Sequence, residues 1–236
     1  MLVIPGYKIT EKLHDGKHTL VFRAHRDSDG ESVVLKLPQS DYPTRRELER
    51  LQHEYDIARM LNDPGVVRAY GLEQQDKRLY LVLEDFGGIS LRALIQNQPL
   101  ALEEFLEFAV QVTQSLVVVH SRNVIHKDIK PLNILINPEN GQVKLTDFGI
   151  STRLDRENAN LAELGRFEGT LAYISPEQTG RMNRAVDYRT DFYSLGATLY
   201  EILSGKRLFE SRDPLEIIHC HLAREPAPLQ ALACAC

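Results

Sequence analysis

From His126 to Asn133 the chain reads His-Lys-Asp-Ile-Lys-Pro-Leu-Asn, and fourteen residues past Asn133 stands Asp147, in Thr-Asp-Phe-Gly. Asp128, Lys130 and Asn133 thus share a stretch too polar for a core and too regular for a solvated loop. These residue types match what the movement of a phosphoryl group from ATP demands. Such a transfer needs a carboxylate to position the attacking hydroxyl, cations against the phosphates, and hard oxygen ligands for the metal ions. Asp128 can orient a hydroxyl and accept its proton, and Lys130 can neutralise charge on the moving group. Asn133 offers magnesium a neutral oxygen and Asp147 a charged one. The segment between them carries Asn140-Gly141, a strong hairpin signal, so the chain can fold back and bring Asp147 beside Asn133.

The elements that must position these groups change character along the chain. The first third holds short β-branched or aromatic runs separated by Gly, Asp and Ser turns: GYKITEKL, TLVFRAHR, SVVLKLP and RLYLVLED. Between the third and fourth run, the spacing predicts a helix over roughly Pro43 to Asn62, with Leu48, Leu51, Tyr55, Ala58 and Leu61 on its inner stripe and a stop before Pro64-Gly65. A second, longer helix places Leu102, Phe105, Phe108 or Ala109, Val112, Leu116 and Val119 on one face. Two short strands bracket Asn140-Gly141, and helices return in DFYSLGATLYEILSG and PLEIIHCHLA. The expectation is an α+β arrangement, a β-rich small lobe and a mainly helical large lobe with a cleft between, joined near Glu84 to Gly88.

The bulk properties narrow the class. The 236 residues carry a net charge of -5, which argues against nucleic acid or an anionic membrane as the main partner. The run MLVIPGYKITEKL lacks the order of a signal peptide, and no apolar run reaches the length of a membrane span. All three cysteines, Cys220, Cys234 and Cys236, fall in the last seventeen residues, which fits a reducing cytoplasm better than a secreted disulfide framework.

VVLK, HKDIKPLN, DFG and SPE fall in the order and approximate spacing of the eukaryotic-type protein kinases, and the chain resembles that family from about Tyr7 to Pro226. The resemblance implies a bilobal protein-kinase-like fold, with residues 1–86 as small lobe and hinge and 87–236 as a large lobe lacking its last helices. It implies ATP and magnesium as cofactors, with Asn133 and Asp147 holding the metal. Lys36 would contact the nucleotide phosphates and act with Asp128 and Lys130 in catalysis. Glu47, Glu49 and Glu54 compete as partner of Lys36, and the family's spacing favours Glu54. Gly16, Val21 and Val34 would line the nucleotide site. Leu83 would back the adenine pocket, and the backbone from Glu84 to Phe86 would pair with the base. His126 and Phe148 would pack internally, and Asp191 would anchor the catalytic-loop backbone. Lys130 and Thr170 resemble the Ser/Thr class, since tyrosine kinases place arginine or alanine where this chain has Lys130. GTLAYISPEQTGRMNRAVDYR is similar to the kinase domains that open large bacterial signalling proteins, in which an AAA-type ATPase and a sensor histidine kinase follow.

Three departures qualify the resemblance. The phosphate-covering G-x-G-x-x-G is here His14, Gly16 and Thr19, so the close approach of backbone that glycine permits is reduced. Lys127 replaces the arginine that grips a phosphorylated loop, and no Ser, Thr or Tyr lies between Arg153 and Gly169. Activity independent of phosphorylation in the middle of that loop is therefore expected. The chain ends APLQALACAC, with no arginine for Glu177, which is expected as an uncompensated buried carboxylate, and with apolar surface that signalling domains or a partner would cover. The function read from all this is phosphorylation of Ser/Thr hydroxyls on protein substrates in signalling. The rival reading is a weak or inactive kinase-fold remnant serving as a nucleotide- or protein-binding module. A small-molecule phosphotransferase would lack the GTLAYISPEQ loop.

Overall fold

The computed structural model of the chain describes residues 4–16, 18–75, 78–97, 100–153, 171–182 and 184–229. Two compact units follow one another, Met1–Gly88 and Ile89–Cys236.

The first unit is a five-stranded antiparallel sheet with one helix. Strands β1 (Tyr7–Asp15), β2 (Thr19–Arg26) and β3 (Ser32–Pro38) precede helix α1 (Arg45–Leu61), and β4 (Ala69–Gln75) and β5 (Arg78–Glu84) complete the sheet in the order β1-β2-β3-β5-β4. Alternation along the strands divides side chains between two faces. Tyr7, Phe22, Ala24, Val33, Leu35, Leu37, Tyr80 and Val82 form one apolar cluster with Ile4. Val21, Val34 and Lys36 take the other face, where Lys36 pairs across the ladder with Val21 on β2 and Leu81 on β5. Helix α1 starts at a capping box: Glu47 N–H donates to Thr44 Oγ1 at 3.3 Å and Thr44 N–H to Glu47 Oε2 at 2.8 Å. Donation from the Thr44 N–H, and then from the Thr44 hydroxyl, holds the Glu47 carboxyl below its ordinary range. The helix stops at Asn62, whose φ of 36° is left-handed. Its buried residues are Leu51, Glu54, Ile57, Ala58 and Leu61. Tyr55, expected inside, is only partly covered, because the face turned inward is the one that carries Glu54.

The second unit opens with β6 (Ile89–Ser90), α2 (Leu91–Asn97) and the long α3 (Leu102–Ser121). Short strands follow: β7 (Val124–Ile125), β8 (Ile134–Ile136), β9 (Val143–Leu145) and β10 (Thr152–Arg153), then helices α4 (Arg189–Ser204) and α5 (Pro214–Ala223). Strands β8 and β9 form the expected hairpin, and Gly141 sits at φ 70° within its turn. Strand β7 pairs with β10, and β6 with β8. Phe105, Phe108, Val112, Leu116 and Val119 of α3 are buried as the stripe predicts, with Ser115 among them. Leu102 departs from it: as the first residue of the helix it lies past the packed region and is 62% exposed. Among the described residues, no helix is long and apolar enough to cross a membrane.

Candidate functional site

In the first unit the ammonium of Lys36 lies 2.8 Å and 2.6 Å from the two carboxylate oxygens of Glu54. The side chains are 12% and 4% exposed, so this is a buried pair. Of the three glutamates that competed on sequence, Glu54 is the one bonded to Lys36. Val21 and Val34 are partly exposed on the same sheet face. Gly16 closes the β1–β2 turn through N–H donation to Thr19 O at 3.0 Å, and the His14 imidazole fills the space that a Cβ at Gly16 would need.

The chain leaves the sheet after Glu84, which pairs with Val33 and donates its N–H to Arg68 O at 3.0 Å. Asp85 follows, accepting from Arg23 Nε and Ser32 Oγ, each at 2.7 Å. Phe86 lays its ring against Gly88, where any Cβ would collide with it.

In the second unit the polar cluster is tightly wired. Lys130 Nζ donates to Asp128 Oδ2 at 2.5 Å, and Asn133 Nδ2 donates both to Asp128 Oδ2 and to Asp128 O, each at 2.9 Å. Two donors on one oxygen fix the rotation of the Asp128 carboxylate. Both bonds from Asn133 use its side-chain nitrogen. Its own carbonyl accepts from Thr146 N–H at 3.0 Å, so the hairpin delivers Asp147 next to the cluster. Asp147 is partly buried at φ 66°, a left-handed conformation that aspartate tolerates better than most residues. Among the described residues, no group of three or more His, Cys, Asp or Glu side chains is gathered to hold a metal. One carboxylate and one amide oxygen do suit magnesium, which keeps several waters and takes its remaining ligands from phosphates.

The backbone under this cluster hangs from Asp191 on α4, which is fully buried. Its carboxylate accepts from His126 N–H and Lys127 N–H, both at 2.8 Å, and lies 2.8 Å from His120 Nε2. Lys127 stands at φ 68°, held from both sides: its N–H by Asp191, its carbonyl by Gln178 Nε2 at 2.8 Å. His126 Nδ1 accepts from Asp128 N–H at 3.3 Å while Nε2 donates to Thr146 O at 3.0 Å, one neutral tautomer spanning both ends of the hairpin. Its ring lies 4.6 Å from that of Phe148. Thus the two residues read as packing elements do pack.

Ser151 is buried, with its hydroxyl donated to Phe148 O at 2.7 Å, and Thr152 pairs with Ile125. Gly169, Thr170, Cys234 and Cys236 lie outside the described residues. Glu177 corrects an expectation: it is only partly buried, and it accepts from Thr190 Oγ1 at 2.8 Å. Sequence reasoning missed Gln178, whose proximity to SPE was its only signal. It also missed Glu201, a buried carboxylate inside the apolar run LYEIL, which is gripped by Arg92 and the Tyr173 hydroxyl. Burial, and then Glu201, push that phenol well above its ordinary range.

A protein kinase domain model matches residues 7–229. The serine/threonine-protein kinase PknA of Mycobacterium tuberculosis is 34% identical over 230 residues, covering 94% of this chain and 52% of the relative. PknB of Mycolicibacterium smegmatis is 32% identical over 212 residues, covering 87% of this chain and 33% of PknB. A probable serine/threonine-protein kinase of Streptomyces coelicolor is 32% identical over 226 residues, covering 93% and 33%. The chain therefore spans about half the length of PknA and about a third of the other two.

Proposed function

The chain belongs to the protein kinase family, and from that premise we propose that it transfers the γ-phosphoryl group of ATP to Ser or Thr hydroxyls of protein substrates. The observation that carries the reading is the wiring of Asp128, Lys130 and Asn133 into one cluster, with Asp147 delivered beside it by the Thr146–Asn133 bond. In this reading Asp128 orients the acceptor hydroxyl and takes its proton as the oxygen–phosphorus bond forms. The bond from the γ-phosphorus to the bridging oxygen breaks, and ADP departs with the electron pair. Lys130, beside Asp128, screens charge on the group in transit. Lys36, held by Glu54, meets the nucleotide phosphates, while Gly16, Val21 and Val34 line the nucleotide and the backbone of Glu84 and Phe86 pairs with the base. Asn133 and Asp147 would hold magnesium, which would supply electrostatic neutralisation of the phosphate oxygens.

A Ser/Thr acceptor is supported by Lys130 in DIKPLN and by the chain's relatives PknA and PknB, which are serine/threonine-protein kinases. The reducing setting implied by cysteine usage fits the cytoplasm; Cys220 is buried, with no disulfide partner among the described residues. The test is transfer of label from ATP to a generic protein substrate, followed by identification of the phosphorylated amino acid. Phosphoserine or phosphothreonine from the wild type, absent with Asp147→Ala, is the expected result. Nucleotide binding with no transfer by the wild type would support a binding module instead.

A further inference from the structure

Beyond Glu84 the strand pairing of β5 with β3 has ended, and one side chain takes over the task of holding the chain. Asp85 is 7% exposed on its side chain. Its Oδ2 accepts from Arg23 Nε on β2 and from Ser32 Oγ on β3, both at 2.7 Å, while Oδ1 accepts from Gly87 N–H at 3.1 Å. Arg23 is itself held by Glu11 on β1. Gly87 stands at φ 74°, a left-handed turn that redirects the chain within the loop Asp85 closes. Burial alone would raise the Asp85 carboxyl; the bonds from Ser32, Arg23 and Gly87 outweigh it and hold the group below its ordinary range, so it stays ionised. Arg23 pairs across the ladder with Val34, on the face that also carries Lys36.

We infer that Asp85 is a positioning residue for nucleotide recognition: its carboxylate ties residues 84–87 to strands β2 and β3, and so sets where the backbone of Glu84 and Phe86 presents itself to an adenine base. The inference rests on the nucleotide-binding reading above. It makes a separable claim, that Asp85 governs affinity for the base and leaves affinity for the phosphates alone. The charged clamp has two donors on one oxygen. Asp85→Asn removes the charge and leaves one acceptor oxygen for three donors.

Calorimetric titration of wild type and Asp85→Asn with adenosine, and separately with magnesium tripolyphosphate, tests it. Adenosine should bind about tenfold more weakly to Asp85→Asn, the scale of one charge-assisted hydrogen bond, with tripolyphosphate within about twofold of wild type. KM for ATP should rise by the same factor while kcat is kept. Ser32→Ala removes a single bond to the same oxygen and should weaken adenosine about threefold; it serves if Asp85→Asn fails to fold. Equal adenosine affinity in a folded variant overturns the inference while leaving the nucleotide reading intact. A parallel loss for both probes does the same, since it marks general loosening. If the wild type binds neither probe, the nucleotide reading itself falls, and the inference with it.

Discussion

Removal of one partner from the Lys36–Glu54 pair should be far costlier than removal of both. Glu54→Leu removes the carboxylate bonded to Lys36, whose ammonium lies on a sheet face beside Val21 and Leu81 with its side chain 12% exposed. Lys36→Met removes the cation bonded to a carboxylate that is 4% exposed. Breaking a buried pair in this way costs about 3–5 kcal/mol, against about 0–1 kcal/mol for a surface pair. Water reaches the Lys36 end, so Glu54→Leu should fall near about 3 kcal/mol and Lys36→Met nearer about 5 kcal/mol. Either is a large share of the ~5–15 kcal/mol that holds a domain together. The double variant Lys36→Met/Glu54→Leu replaces two charges with apolar volume and should recover most of the loss, since such swaps are often neutral or better. The chain has no tryptophan, so equilibrium urea denaturation followed by far-ultraviolet circular dichroism is the suitable assay. Single variants costing under about 1 kcal/mol would refute a buried, coupled pair, and so would a double variant costing the sum of the singles. Phosphoryl transfer should be lost in all three, which would mark the pair as kept for chemistry at no gain in stability.

Asp191→Asn leaves one acceptor oxygen where His126 N–H and Lys127 N–H both need one; urea denaturation should register a loss of about 1–3 kcal/mol, and transfer should drop as Asp128 loses its support. Ser151→Ala and Thr152→Ala should leave transfer to a protein substrate near the wild-type rate. Ser151 is buried with its hydroxyl already engaged, and restoration of lost activity by acidic residues at these positions would contradict that. Burial, partly opposed by the Leu171 backbone, pushes His221 below its ordinary value of 6.5, so the native state binds fewer protons than the unfolded chain as pH falls. Stability is thus fully present above the unfolded value and declines as pH drops toward the native one; His221→Phe should flatten that part of a melting-temperature profile.

The chemistry was more legible in the sequence than the scaffold beneath it. Asp128, Lys130, Asn133 and Asp147 sit within twenty residues of one another, where spacing and a hairpin signal suffice to bring them together. Lys36 and Glu54 were linked by the family's spacing, whereas helical periodicity alone favoured Tyr55 for the inner face. Strand β4, AYGLEQQ, left no mark, because Gly71 and its polar neighbours have weak β preference and pairing with β5 supplies the structure. Clamps between distant residues were also invisible. Arg23 and Asp85 are 62 positions apart and Arg92 and Glu201 are 109, so no periodicity relates them. A carboxylate or guanidinium on a strand reads as a solvated charge until the fold supplies its partner.

The central claim is that Asp147, beside the Asp128–Lys130–Asn133 cluster, holds the metal that accompanies the nucleotide. Calorimetric titration with ADP, with and without magnesium, addresses it without relying on turnover. Magnesium should tighten ADP binding to the wild type and give no such gain in Asp147→Ala, while metal-free ADP binds both alike. A magnesium gain that persists in Asp147→Ala would contradict the account.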